Sequence, residues 1–483
     1  MSLMESKTCP RIVIAGTSGD SGKTLVSLGL LAGLRQRGYK VAAFKKGPDY
    51  IDPAWLNAAS GGLVRNLDTF LVAERKVRQT FTRYALESGM NIIEGNRGLY
   101  DGLDAQGSHS TAELAKLLEA PIILVCNVTK STRTVAAIVL GMKEMDQNAN
   151  ISGVILNQVG GKRHKEIVTG SIENATEIPV LGAIPRVKNE KLLPSRHLGL
   201  VTPSEYSGFD DLIERLGKLV SDNVDIPQLI EIGESAGQLS YEVEVPEDQP
   251  EIGSKPQIGY FSDTAFTFYY PENLEALQAR GADLVPISSL ADKELPEIDA
   301  LYIGGGFPET HAEKLAGNRA LMDAVRHAAL EGFPIYAECG GLIYLCSRLT
   351  LGENTYPMAG LFDVDLQMNV RPQGHGYSIM KVDAENPFYP IGIQLRGHEF
   401  HYTAPVRVGE NVNTVMSVDK GSGFENGRDG LVLKSVWASY LHLHASGEEA
   451  WSGALTGLAA EYKTRRSDLK AGGGTGSSAR RAV

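Results

Sequence analysis

A chain of 483 residues is longer than one hydrophobic core usually serves, so two domains are expected. With 42% hydrophobic and 22% charged residues the composition is that of an ordinary globular protein, and 47 basic against 58 acidic residues leave a net charge of −11, which argues against a nucleic-acid surface. The cysteines Cys9, Cys126, Cys339 and Cys346 show no CxxC or CxxH pairing, no run of about 18 apolar residues occurs, and the start carries no charged-then-apolar leader pattern; these features argue against a disulfide framework, a zinc site and a membrane span, and point to a reducing cytoplasm.

Residues 11–15 (RIVIA) read as a short strand, followed by Gly16, Thr17, Ser18, Gly19, Asp20, Ser21, Gly22, Lys23 and Thr24, and then by a helix over 25–34. Strand, glycine loop and helix in that order are what a phosphate-binding loop requires. Loop N–H groups would cradle the phosphates of ATP at the helix N-terminus, Lys23 would reach the β- and γ-phosphates, and the Thr24 hydroxyl would ligate Mg2+. The spacing departs from GxxxxGK(S/T): the first glycine lies one residue further back, and Thr17 holds its usual place. A glycine-rich turn with an incidental Gly-Lys-Thr is the plainer alternative.

A second strand, 41–44 (VAAF), ends in KKGPDYIDP. Two carboxylates beside two lysines at a strand end suit a phosphate and metal site, with Asp49 or Asp52 toward Mg2+ and Lys45, Lys46, Tyr50 and Asp52 toward phosphate or substrate. A polar turn with Pro-Asp punctuation would explain the same residues. A third strand, 91–94, ends in Glu94, an acid at the Walker-B position and so a further candidate metal ligand; its loop runs on through Asn96 and Arg97 to Asp101, grouped with the substrate residues. Strands over 121–126 and 151–156 alternate with helices over 111–118 and 134–145, and Asn157 ends the last strand, where an adenine contact is expected. This alternation predicts a parallel α/β sheet with its ligand at the strand C-termini. The first domain is expected over 1–230, with a linker over 231–255 that includes the acidic, proline-containing VEVPEDQPEIGSKP.

The second domain is expected over 256–463, again α/β. Strand 257–261 is followed by a helix over 272–280, and strand 300–303 runs into Gly304, Gly305, Gly306 and FPE. A glycine triplet after a strand suits either an oxyanion hole or a flexible turn. The apolar run FPIYA then stops at Glu338, Cys339, Gly340 and Gly341, and a new apolar run follows at helical spacing. A cysteine at such a turn is placed like a nucleophile whose thiolate the helix N-terminus favours, although an inert core cysteine fits the same pattern. Residues 435–441 read as a strand leading to His442, the candidate acid/base, with His444 at the same side-chain parity. The tail 464–483, rich in glycine and serine toward its end, is expected to be disordered.

These stretches together resemble the glutamine-dependent cobyrinic acid a,c-diamide synthases over about residues 11–443. The resemblance rests on GTSGDSGKT, GPDYID, EGNRGLYDG, TAELAKLL, VILNQVG, FYYPENLE, GGGFPE, YAECGGLIYL, GHEFHY and SYLHLH. It implies a dethiobiotin-synthetase-like ATP·Mg2+ domain joined to a flavodoxin-like class I glutamine amidotransferase. Cys339 would attack L-glutamine with His442 as acid/base, and Gly305 or Gly306 with the Gly340 N–H would hold the oxyanion. The first domain would phosphorylate a peripheral carboxylate of a tetrapyrrole, and ammonia would displace the phosphate to leave a carboxamide, in the manner of cobalamin biosynthesis. A homodimer is kept open.

Three departures bear on this. His444 stands where many class I amidotransferases carry a glutamate, which leaves a Cys–His dyad. FKKGPDYIDPAWLN lacks the histidine that usually follows this motif, and EGNRGLYDG replaces EGVMGLYDG. The last two resemble the branch that amidates siroheme, associated with dissimilatory sulfite reductase; a nickel–sirohydrochlorin diamide synthase is a third reading. A partitioning-type ATPase switch is the rival of another class, but its signature lysine position is Ser18 here, and it leaves the second half unexplained.

Overall fold

In the computed structural model the chain forms two compact units, 1–245 and 246–483. The structure describes residues 3–187, 195–196, 199–200, 203, 206–243 and 255–472.

In the first unit seven strands form one parallel sheet in the order Arg65–Leu67, Val41–Lys46, Met90–Glu94, Arg11–Gly16, Ile122–Asn127, Ile151–Val159, Val180–Pro185. Arg11–Gly16 is buried at every position, which is why RIVIAG shows no alternation: helices cover both faces of the sheet. The chain winds outward in both directions from this central strand, so the loops after Gly16, Glu94 and Asn127 meet at the strand C-termini, where a doubly wound sheet takes its ligand. The helix Phe209–Ser221 buries Leu212, Leu216 and Val220, spaced four apart, and carries Asp210 and Asp211 in its first turn, on the favourable side of the helix dipole.

Residues 231–243, expected as linker, are instead built into this unit. They finish the helix Ile226–Glu234 and form the strand Gln238–Val243, which pairs antiparallel with Leu3–Thr8. Arg11 explains the attachment. It is fully buried, and its guanidinium donates to the carbonyls of Ala236 at 2.9 Å, Gly237 at 3.0 Å and Leu118 at 2.7 Å. A buried guanidinium has no water to turn to, so these carbonyls must stay. Most of the acidic proline stretch, 244–254, lies outside the described residues.

In the second unit the strands Asp283–Ile287, Gln257–Phe261, Ala300–Ile303, Ile335–Glu338 and Val436–Ser439 run parallel in that order. Antiparallel strands Arg428–Leu433, Asn413–Lys420, Gly374–Val382 and Gln394–His401 extend the same sheet to nine, and a separate four-stranded sheet packs residues 348–408. The C-terminal helix Ala450–Gly472 takes in 464–472, expected as tail; 473–483 lie outside the described residues. Among the described residues no helix is long and apolar enough to cross a membrane.

Candidate active sites

In the first unit the loop after Gly16 turns into the helix Lys23–Gln36 through Gly22, whose φ of 95° a side chain would resist. A Cβ at Gly22 would also stand 2.0 Å from Nδ2 of Asn157. That amide donates to the Ser21 carbonyl at 3.0 Å, and its Oδ1 accepts the Gln158 N–H at 2.9 Å. Asn157 therefore braces the phosphate loop from the end of its strand. Within the loop Ser21 Oγ accepts the Ser18 N–H at 3.1 Å, and Lys23 Nζ folds back to donate to the Ser18 carbonyl at 3.2 Å. Burial pulls the Lys23 ammonium pKa down, with the neighbouring Lys45 charge in the same direction.

Thr24 Oγ1 donates to Glu94 Oε1 at 2.8 Å, joining the end of the loop to the end of the neighbouring strand. Lys45 Nζ lies 3.1 Å from the same oxygen and 2.8 Å from Asp52 Oδ2. Burial works against the Lys45 charge, but the Asp52, Glu94 and Asp49 carboxylates outweigh it and raise its pKa. Lys45 thus neutralises the Asp52 and Glu94 carboxylates. Lys46 points to the other face of the strand, as alternation requires, and is 5% exposed, with burial lowering its pKa against the attraction of Asp68.

Asp49 Oδ1 caps the helix Ile51–Ser60, accepting the N–H groups of Ile51 at 2.8 Å and Asp52 at 3.0 Å. Burial and then Asp52 push it up to about 7. Among the described residues it is Asp52, not Asp49, that joins the Lys45–Glu94 cluster by direct contact, and Tyr50 precedes the helix half-buried. Asp101 is exposed, and its Oδ2 accepts the Gly98 N–H at 2.8 Å, shaping the loop after Glu94. Burial raises the Glu94 pKa, and its Oε2 is buried without a protein hydrogen-bond partner. A hydroxyl and a buried carboxylate with an unspent oxygen form a hard oxygen donor pair, which fits Mg2+. The described residues hold no group of three or more His, Cys, Asp or Glu able to enclose a metal by themselves.

In the second unit Cys339 caps the helix Gly340–Leu345 with φ 48° and ψ −94°, a strained backbone for a side chain with a Cβ. It is 5% exposed; its N–H donates to the Ser439 carbonyl at 2.7 Å, and its thiol points at the Phe400 carbonyl 3.8 Å away. Burial, then the Glu309 and Glu338 charges, push the thiol pKa up, while a bond from the Gly340 N–H pulls it down. The expectation that the helix N-terminus favours thiolate is corrected here: the helix has only six residues, and desolvation outweighs it. Burial thus favours the neutral thiol at Cys339, and a nucleophile in that form needs a base.

His442 is the residue expected to be that base. The strand ends at Ser439, earlier than expected, and His442 is fixed by paired backbone hydrogen bonds with His398, at 2.9 and 3.2 Å. Its ring stacks on the His398 ring, centroids 4.8 Å apart. Burial, and then the neighbouring His401, pull His442 down to about 3, which favours the neutral imidazole and makes its charged form costly. The glycine triplet shares this place: a Cβ at Gly305 would stand 2.4 Å from His442 Cε1, and one at Gly340 would stand 3.1 Å from the Gly306 nitrogen. The expected oxyanion glycines therefore lie together beside the histidine. The Gly304 N–H is already spent on the Tyr269 hydroxyl at 2.9 Å.

Gly305→Ala is expected to push the imidazole aside and lower glutaminase activity about 100-fold, since a displacement of about 1 Å costs that much. Amidation with ammonium should be untouched. Glutaminase within a few-fold of the parent would show that the ring tolerates a Cβ there.

His444 faces Glu272 and Tyr270. Its Nε2 lies 3.6 Å from Glu272 Oε2 and its ring packs against Tyr270. Three contributors were missed from the sequence: Glu338, His398 and the Phe400 carbonyl. All lie inside YAECGG and GHEFHY; Glu338 adjoins the nucleophile, but nothing local marks a backbone carbonyl or a stacked ring.

Comparison with known proteins agrees with this division. Residues 12–201 match the CobQ/CobB/MinD/ParA nucleotide binding domain, and 257–450 the CobB/CobQ-like glutamine amidotransferase domain. Cobyrinate a,c-diamide synthase of Magnetococcus marinus is 41% identical over 92% of this chain and 96% of its own length. The enzymes of that name from Archaeoglobus fulgidus, 41% identical over 90% of this chain and 94% of its own, and Methanosarcina acetivorans, 36% over 96% and 98%, are similar across almost the whole chain as well. With a phosphate loop in one unit, a cysteine elbow in the other and identity at this level from end to end, the chain belongs to the cobyrinate a,c-diamide synthase family.

Proposed function

We propose that this protein is an ATP-dependent carbon–nitrogen ligase that takes ammonia from glutamine and converts peripheral carboxylates of a tetrapyrrole, cobyrinate in the first instance, into carboxamides. The observation that carries the reading is the 41% identity to the cobyrinate a,c-diamide synthase of Magnetococcus marinus over 92% of the chain.

In the second unit His442 takes the Cys339 proton and the sulfur attacks the glutamine carboxamide carbon, forming a C–S bond. The Gly340 N–H and the Gly305–Gly306 amides hold the oxyanion. The C–N bond then breaks, ammonia leaves with the proton from His442, and water hydrolyses the thioester to glutamate. In the first unit a substrate carboxylate oxygen attacks the γ-phosphorus of ATP and ADP leaves. The purpose is to create a leaving group: a carboxylate does not accept ammonia, and an acyl phosphate does. Ammonia then attacks the acyl carbon and phosphate departs. Lys23 supports charge on the phosphates. A Mg2+ held by Thr24 and Glu94 would shield that charge as it shifts toward the leaving ADP.

Cobyrinic acid, siroheme and nickel–sirohydrochlorin should each be offered with ATP and glutamine, and the products weighed by mass spectrometry. One or two acid-to-amide mass losses on cobyrinic acid alone are expected. Amidation of siroheme or the nickel compound instead would replace the substrate while leaving the chemistry standing.

A further inference from the structure

Position 444, where a carboxylate would usually orient the base of such a site, is here a histidine turned toward Glu272. A buried imidazole that must become imidazolium needs help. The charged form is costly away from water, and the ring must present the correct nitrogen.

Resting on the assignment of Cys339 and His442, we propose that Glu338, the residue immediately before the nucleophile, is the positioning partner of His442. Glu338 ends the strand Ile335–Glu338 and is fully buried. Its Oε2 lies 3.9 Å from His442 Nδ1. Its Oε1 accepts the Leu443 N–H at 3.2 Å, so the same side chain grips the backbone next to the histidine. Tyr302 donates its hydroxyl to Oε2 at 3.0 Å. Burial outweighs these two donors, one on each oxygen, and raises the Glu338 carboxyl to about 8; an imidazolium forming at His442, 3.9 Å away, is what draws out its carboxylate form. Asn273, also fully buried, completes the grip from the other side. Its Nδ2 donates to the Leu443 carbonyl at 2.9 Å and to the Tyr302 hydroxyl at 3.2 Å, and its Oδ1 accepts the Ala445 N–H at 2.8 Å.

The strand register makes this arrangement. Glu338 pairs with Ser439, so the carboxylate stands where the chain leaves the neighbouring strand toward His442. At the next residue the positive-φ turn aims the Cys339 sulfur at the Phe400 carbonyl. One short stretch therefore delivers nucleophile and orienting acid to two places in the same site. During turnover the proton moves from Cys339 to His442 and on to the departing ammonia. That proton does not pass to Glu338, whose charge steadies the imidazolium while it exists.

The test uses the full chain and separates charge from shape. Glu338→Gln keeps volume and hydrogen-bonding capacity but removes the charge; Glu338→Asp keeps the charge but shortens the reach and disturbs packing. Glutaminase kcat is expected to fall about 100-fold in Glu338→Gln and about 10-fold in Glu338→Asp, with KM for glutamine nearly unchanged in both. A merely structural residue would give the opposite order, because glutamine fits the cavity better. Glu338→Gln at parental kcat, or more active than Glu338→Asp, overturns the proposal; thermal unfolding of each variant shows that the second unit is folded. If Cys339→Ala is inactive as a glutaminase while Glu338→Gln is fully active, the positioning role alone fails. If Cys339→Ala keeps glutaminase activity, the underlying assignment fails first.

Discussion

Cys339→Ala is expected to lose glutamine-dependent amidation entirely while retaining amidation driven by ammonium. Removing a nucleophile deletes the covalent route, and no neighbour replaces it: the other cysteine of this stretch, Cys346, is fully buried and its thiol pKa is pushed up by burial. Glutaminase should fall by at least about 1000-fold, as when one member of a unit-acting nucleophile and base is removed. Little else should change. Alanine takes over a backbone at φ 48° that costs about 1–3 kcal/mol in any residue with a Cβ, so the strain is carried equally by both proteins. The Cys339 N–H bond to Ser439 is a backbone bond and survives. The measurement is glutamate release together with amide formation from each nitrogen source. Persistent glutaminase in the variant would sink the nucleophile assignment.

Lys23→Ala is expected to do the converse. Amidation should disappear with glutamine and with ammonium alike, by about 1000-fold or more, because the lost charge serves the phosphates during transfer. Glutamate release can continue, since Cys339 and His442 belong to the other unit. The fold should tolerate the change: the Lys23 ammonium donates to the Ser18 carbonyl within its own loop, and burial disfavours its charge until a phosphate arrives. Amidation from ammonium at the parental rate would remove the ATP-site reading of this loop. Together the two variants separate the nitrogen-supplying chemistry from the carboxylate-activating chemistry in one protein.

Much of both sites is legible in the order of the residues. The phosphate loop can be read because its parts are contiguous: the strand, the glycines, Lys23 and Thr24 lie within 14 residues and need only their chain neighbours to form. Cys339 is legible for the same reason, as an apolar strand that stops at a Cys-Gly-Gly turn. Glu94 follows from one rule, that an acid at the end of a buried parallel strand lies beside the phosphates. The linker was misplaced because nothing in residues 231–243 reveals that Arg11, more than 200 positions earlier, claims their carbonyls. The antiparallel extension of the second sheet was equally invisible, since its strands are joined by pairing and not by a local motif.

The roles of the polar side chains divide along the same line. Which chemistries the chain carries is written locally, because helix starts, glycine turns and buried strands follow from near-neighbour sterics and periodicity. Which groups act together is settled by contacts between distant segments. Asn157 is drawn to the Ser21 carbonyl, Lys45 is locked between Asp52 and Glu94, Asp49 is used as a helix cap, and His444 is set against Glu272. The pairing of Glu338 with His442 spans 104 positions and depends on the register of two parallel strands. A slip of one residue there would turn each side chain to the opposite face, and no local pattern in either segment records that register.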